Sequence, residues 1–178
     1  MIQRIPSIAK LAAAAAVAAV LSACAHTDRA TPIAEATINP TEGNNISGYF
    51  RVYEVNRDTV RVMAQVKGLQ PGSEHGFHVH ENGNCSSPDA MSAGGHYNPN
   101  GHQHGKAGPQ AHVGDLPSLM ADAAGTAFLV WETKDLSIGT GKPSDIKGRA
   151  VVVHKDKDDY TTQPTGNSGA RLGCGVIQ

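Results

Sequence analysis

The chain reads as an all-β domain, a closed or sandwiched antiparallel sheet of seven or eight short strands, and three observations carry that reading. In TVRVMAQV, Val60, Val62, Ala64 and Val66 alternate with Thr59, Arg61, Met63 and Gln65, the period-two pattern of a strand dry on one face and wet on the other. Glycine and proline turns punctuate such stretches, and no long helical period follows residue 33. Two long segments break the rhythm, residues 81–122, rich in Gly, Pro, Asn and His, and residues 155–170. Unstructured connections of that length inside a compact domain carry function.

Taken in order, SGYFRVYEV (Ser47 to Val55) is the first clear strand and TVRVMAQV the second, ended by the turn residues of GLQPGSEHG. GFHVHE follows, and an extended backbone there puts His78 and His80 on one face and Phe77 and Val79 on the other. One face can bind while the other packs. By the same parity His75 points away from His78 and His80 and is structural. GTAFLVWET, GRAVVVH and CGVIQ read as the remaining strands, with Val151 and Val153 facing opposite to His154.

Residues 1–23 have the composition of a secretion signal: Arg4 and Lys10 give a positive start, and Leu11 to Leu21 an apolar core too short to span a bilayer. LSAC, with Leu21 three residues before Cys24, resembles a bacterial lipobox, which implies diacylation of Cys24 and cleavage before it. An ordinary cut at the small residues Ala23 to Ala25 is the alternative. Both export the protein, to the periplasm or cell envelope. Residues 24–32 are then a polar linker carrying His26, and residues 33–178 one domain long enough to bury a core. Of three cysteines, lipidation of Cys24 leaves Cys85 and Cys174 either joined, as an oxidising compartment favours, or buried and reduced. Loss of the leader removes two cations and leaves 13 Lys+Arg against 16 Asp+Glu, a formal charge of −3. No nucleic-acid surface is expected from that balance, and the membrane is reached only through the Cys24 lipid.

Most of the nine histidines fall in or beside the two long segments: His78 and His80, His96 in GGHYNP, His102 and His104 in GHQHG, His112 in HVGD with Asp115 three residues later, and His154 in VVVH. A nitrogen-rich set with one carboxylate suits copper and zinc, whereas calcium or magnesium would want oxygens.

GFHVHE, GGHYNP, HVGDLP, GRAVVVH and GARLGCGVI, in that order over about residues 33–178, resemble the Cu,Zn superoxide dismutases, specifically their bacterial exported branch. The resemblance implies a Greek-key antiparallel β-barrel or sandwich of about eight strands with two long functional loops. It implies copper held by His78, His80, His96 and His154, and zinc held by His96, His104, His112 and Asp115, with His96 bridging the two. His104 is preferred to His102 because it matches the family's histidine-glycine position. Asp158 matches the carboxylate that links a copper ligand to a zinc ligand, Asp159 being the neighbouring alternative. Arg171 matches the arginine that guides the anion, and a Cys85–Cys174 bond would pin the loop after His80 to the strand presenting it. The implied substrate is superoxide, and monomer or homodimer stays open. The competing reading, a non-catalytic copper and zinc store of the same fold, predicts a missing copper ligand or a missing Arg171, and neither is missing. One departure stands out: Thr161 to Ala170 carries no basic residue, and Lys155 and Lys157 alternate with acids, so Arg171 guides nearly alone or with Lys106 from the other loop.

Overall fold

A computed structural model describes Met1 and residues 31–178; the signal, Cys24 and His26 lie outside the described residues. Among the described residues there are nine strands: β1 Ala34–Pro40, β2 Ser47–Asn56, β3 Thr59–Lys67, β4 Glu74–His75, β5 Phe77–His80, β6 Leu119–Met120, β7 Thr126–Thr133, β8 Ala150–His154 and β9 Arg171–Val176. Only Gly76 separates β4 from β5, so the two are one strand interrupted by a residue, and about eight strands is the right description. The one helix among the described residues is a single 3-10 turn, Met91–Ala93.

Seven strands form a sheet in the order β5-β8-β9-β1-β2-β3-β7, and β4 pairs with β6. An isolated antiparallel bridge from Ala121 to Ala127 links the chain after β6 to β7, so the sheet curls toward closure. The non-sequential neighbours β9 and β1 are the Greek-key crossing of this all-β fold. β1, which period-two reasoning did not single out, pairs with both β2 and β9.

Alternation explains the core. Val60, Val62, Ala64 and Val66 all point inward and are buried, joined by Ile38, Phe50, Val52, Leu116, Ile146 and Ile177. Phe50 and Phe77 meet edge to face at 6.1 Å. In β5 and β8 both faces are buried. Phe77, Val79, Val151 and Val153 enter the main core, while Ala150 and Val152 pack outward against Ala90, Ala93 and Cys174. The outer face of these two strands, which also carries His78, His80 and His154, is therefore roofed by the long loops.

Strand register fixes the relative heights of the important residues. β5 pairs with β8 so that His78 lies opposite Val152, and β8 pairs with β9 so that His154, just past a bulge, lies opposite Arg171. The other edge of β5 is zipped to the first long loop by antiparallel bridges His80 to His96 and His78 to Asp115. The Val79 N–H donates to Gly114 O, and the Tyr97 N–H to Val79 O, both at 2.8 Å. A Cβ on Gly114 would strike the Val79 carbonyl, so this close approach requires glycine.

Cys85 and Cys174 are joined, 89 residues apart in sequence. Chain-entropy reasoning assigns so long a closure about 4–5 kcal/mol as an upper figure. Replacing both cysteines with alanine is expected to cost about 2–5 kcal/mol in guanidinium unfolding at equilibrium, and a loss under about 1 kcal/mol would show the bond to be stabilising little.

Candidate metal centre

Every histidine the sequence nominated as a ligand is buried, as are Asp115 and Asp158. Buried imidazoles and carboxylates are costly without partners, so the hydrogen bonds of each ring show what it is arranged to do.

Four rings have one nitrogen committed to a group that only accepts. His80 Nδ1 donates to Gly94 O at 2.9 Å and His154 Nδ1 to Gly169 O at 3.2 Å. His78 Nε2 donates to Asp158 Oδ2 at 2.7 Å, and His104 Nε2 donates to Asp158 Oδ1 at 2.8 Å. These bonds fix the tautomers: the inward nitrogens, His80 Nε2, His154 Nε2 and His78 Nδ1, are bare lone pairs in neutral rings. His80 Nε2 and His154 Nε2 stand 3.2 Å apart with no proton to share. His78 Nδ1 and His96 Nε2 are buried with no hydrogen-bond partner among the described residues. Lone pairs converging in a dry site fit a cation.

Two sets emerge. Ligand atoms of His78, His80, His96 and His154 lie within 4.8 Å of one another, as do those of His78, His96, His104 and Asp115. His78 is near both sets, yet its Nε2 is spent on Asp158, and its ring stacks on His96 at 3.9 Å. His112 fits the second set better: its Nδ1 has no hydrogen bond and lies 3.4 Å from Asp115 Oδ1. His96 and His104 each aim Nδ1 at the same oxygen from 3.0 Å. Three nitrogens around one carboxylate oxygen is the donor set of a tetrahedral zinc site, and four nitrogens suit copper. His96 alone faces both, with Nδ1 on the Asp115 side and Nε2 on the other.

The electrostatics show what holds these groups without metal. Burial drives His96 down to about 4, and the neighbouring imidazole His78 adds to this against the raising bond from Asp115. Burial likewise pushes His80 and His154 well below the ordinary range. Burial would raise the Asp115 carboxyl too, but bonds from His104 and His96 and from the Gly105 N–H, with the His112 ring close by, overcome it and hold Asp115 far below the usual carboxylate range. At His104 burial is again opposed, by Asp115 and Asp158 together, which raise it to about 9. A proton on His104 Nδ1 thus takes the place of a metal between that ring and Asp115.

The other nominated residues also find places. His75 is buried on the opposite side, donating from Nδ1 to His154 O and meeting Ser73 Oγ through Nε2. His102 stays outside both sets, bonded to Ala111 O. Asp159 caps its own turn, accepting from the Thr161 and Thr162 N–H groups. Arg171 is clamped, Nη1 donating to Ala90 O at 2.7 Å and Nη2 to Gly94 O at 2.6 Å. The Gly94 carbonyl therefore serves His80 and Arg171 at once. Arg171, His80 and His154 line one cavity of about 680 Å³, whose wall is completed by the 165–170 stretch of the second loop. Lys106 does not line it; its ammonium sits 5.5 Å over the Tyr160 ring. Nor does Lys157, which pairs with Glu74 at 3.3 Å.

Sequence reasoning missed the carbonyls of Ala90, Gly94 and Gly169, which leave no side-chain signal. It also missed Gly166, at φ 62°, where a Cβ would lie against the Asp158 carboxylate.

The chain is similar to proteins of one known family. A family model described as copper/zinc superoxide dismutase (SODC) matches residues 46–177. A Cu-Zn superoxide dismutase of Deinococcus radiodurans is 44% identical over 131 residues, 66% of this chain and 70% of that protein. Another, from Aquifex aeolicus, is 37% identical across 82% of this chain and 86% of that protein. A crystal structure of a superoxide dismutase-like protein from Bacillus subtilis superposes with a TM-score of 0.71 at 36% identity, covering 79% of this chain and 95% of that one. With the donor sets, these relatives make copper and zinc the metals of the centre.

Two expectations follow for the metal-binding chemistry. Zinc must displace the His104 proton, so zinc affinity should climb about tenfold per pH unit between about 6.5 and 9, then level off. Calorimetry in buffers of different ionisation enthalpy should count close to one proton released there, and none would contradict the charge state assigned to His104. Asp158→Asn, which can no longer accept from both rings, should weaken zinc binding roughly 10–100-fold in competition with a chromophoric chelator.

Proposed function

This chain belongs to the copper/zinc superoxide dismutase family, and from that premise we propose that it dismutes superoxide, converting two superoxide ions and two protons into oxygen and hydrogen peroxide. The observation that carries the reading is the convergence of the tautomer-locked lone pairs of His78, His80 and His154 with His96 Nε2, beside a cavity that His80 and His154 line and whose one cation among the described residues is the clamped Arg171. These four rings would hold copper, which when bound would supply a one-electron couple, and zinc, which has none, would supply charge and geometry.

The chain's own residues account for the rest. Arg171, always charged and with two of its donors fixed to carbonyls, holds a small anion against the His80 and His154 side of the cavity. The register that places Arg171 across from His154 sets that spacing. His96 joins the two halves: its Nδ1, together with His104, His112 and Asp115, would hold zinc. Its Nε2, buried without a hydrogen-bond partner among the described residues, would face the copper side and is the atom of the ring able to hold a proton and pass it on. Asp158 keeps His78 and His104 in the required tautomers.

Residues 1–23 as signal, lipid on Cys24, residues 24–32 as linker and residues 33–178 as the working domain complete the proposal, which places the enzyme in the periplasm or cell envelope. The composition of the leader and the LSAC stretch support it. The alternative, a copper and zinc store that does not turn over, is favoured by no residue: four copper-side rings and Arg171 are all in place.

The test is superoxide decay by the copper- and zinc-loaded chain, followed by pulse radiolysis. Fast, metal-dependent decay is expected, with Arg171→Ala slowing it roughly tenfold or more and leaving metal stoichiometry unchanged. Full metal content without decay would favour the store, and an unchanged rate in Arg171→Ala would remove that residue from the mechanism.

A further inference from the structure

The mouth of the Arg171 cavity has an unexpected charge balance for a site taken to receive an anion. Its charged lining, apart from the neutral His80 and His154, consists of Arg171 and two carboxylates, Glu42 and Asp89. No lysine contributes. Neither carboxylate forms an ion pair among the described residues, the surface pairs being Glu35 with Arg51, Glu132 with Arg61 and Glu74 with Lys157. Both are therefore free to act on the field in the cavity.

Their positions tie them to the Arg171 clamp. Asp89 immediately precedes Ala90, whose carbonyl accepts from Arg171 Nη1. Its Oδ1 accepts the Met91 N–H at 2.9 Å, which starts the 3-10 turn leading to Gly94, the second carbonyl on Arg171. Glu42 is held to the same loop from below, its N–H donating to Pro88 O at 2.8 Å, next to Thr41, whose hydroxyl donates to Arg171 O. The loop that clamps the guanidinium thus carries a carboxylate beside it, and the β1–β2 turn brings the second.

We propose that Asp89, assisted by Glu42, is a specificity-determining residue of the pocket, discounting the attraction of Arg171 so that it takes up and releases small univalent anions and rejects multivalent ones. Doubling the charge of an anion doubles its attraction to Arg171 as well as its repulsion by the carboxylates, but its cost of leaving water grows as the square of the charge; with the net attraction held small by Asp89 and Glu42, a univalent anion recovers that cost and leaves readily, whereas a dianion does not. The price of this selectivity is approach rate: the rim works against long-range attraction, in keeping with a second loop that carries no cation between Thr161 and Ala170. The inference rests on the dismutase reading for its consequence in turnover, but not for its consequence in anion binding.

Asp89→Asn is the decisive variant, since an amide oxygen still accepts the Met91 N–H while the charge is gone. Two readouts on the copper- and zinc-loaded chain keep the claims separate. One is the phosphate concentration that halves the rate of Arg171 modification by phenylglyoxal, read by peptide mass; the other is superoxide decay across a salt series. Asp89→Asn is expected to lower the phosphate midpoint about two- to threefold at low salt, to raise the decay constant about twofold, and to steepen its fall with salt. Adding Glu42→Gln should extend each effect. Glu54→Gln, which removes the same charge from β2 away from the cavity, should change neither. An unmoved phosphate midpoint in Asp89→Asn would overturn the proposal, as would a shift equally large in Glu54→Gln or one seen only in Asp89→Ala, where the turn contact is lost too. A shifted phosphate midpoint in a chain that never consumes superoxide would uphold the rim and defeat the dismutase reading instead.

Discussion

The whole arrangement depends on one constraint: a buried imidazole has two nitrogens, and fixing the proton on one bares a lone pair on the other. Asp158 does this for His78 and His104 together, one carboxylate oxygen to each, and the carbonyls of Gly94 and Gly169 do it for His80 and His154. Water, which would otherwise satisfy those lone pairs, is kept away by the loops. Burial that would be a cost in an ordinary core becomes binding energy once a cation arrives.

That constraint reaches into the fold through register. A slip of one residue in β5 or β8 would send His78, His80 and His154 into the apolar core and Phe77 and Val153 out of it, so core packing and ligand placement enforce the same pairing. The bridges from β5 to His96 and Asp115 extend the sheet's order into the loop, and the disulfide ties that loop to β9 beside Arg171. Loops 81–122 and 155–170 meet at Asp158, whose partners lie in β5 and in the first loop. Neither loop is independent of the other, which accounts for such long irregular segments in so small a domain.

Much of this was legible in the residues. Period two placed β3, and the parity of His78 and His80 against Phe77 and Val79 predicted which face would carry chemistry. His75 fell on the other side, as parity required, and became a strut to the His154 carbonyl. Other features could not be read. β1 does alternate, Ala34, Ala36 and Ile38 inward against Glu35, Thr37 and Asn39, but two of its three inward residues are small alanines, and it is fixed in the sheet by pairing with β2 and with the distant β9. The carbonyls that clamp Arg171 and orient His80 belong to backbone, which sequence leaves silent, and the need for glycine at 166 appears only when Asp158 is seen beside it. Lys106 was a reasonable steering candidate by charge alone, but Tyr160 holds it away from the cavity. Charge in a sequence has sign but no address.

Tautomer is the central claim, and it is directly observable. Long-range proton–nitrogen correlation spectra of the protein carrying zinc and reduced, diamagnetic copper should show the ring proton on Nε2 in His78 and His104 and on Nδ1 in His80 and His154. Finding it on the opposite nitrogen of any of these four rings would contradict the account, because that lone pair would then point away from the metal and into the carbonyl or carboxylate assigned to orient it.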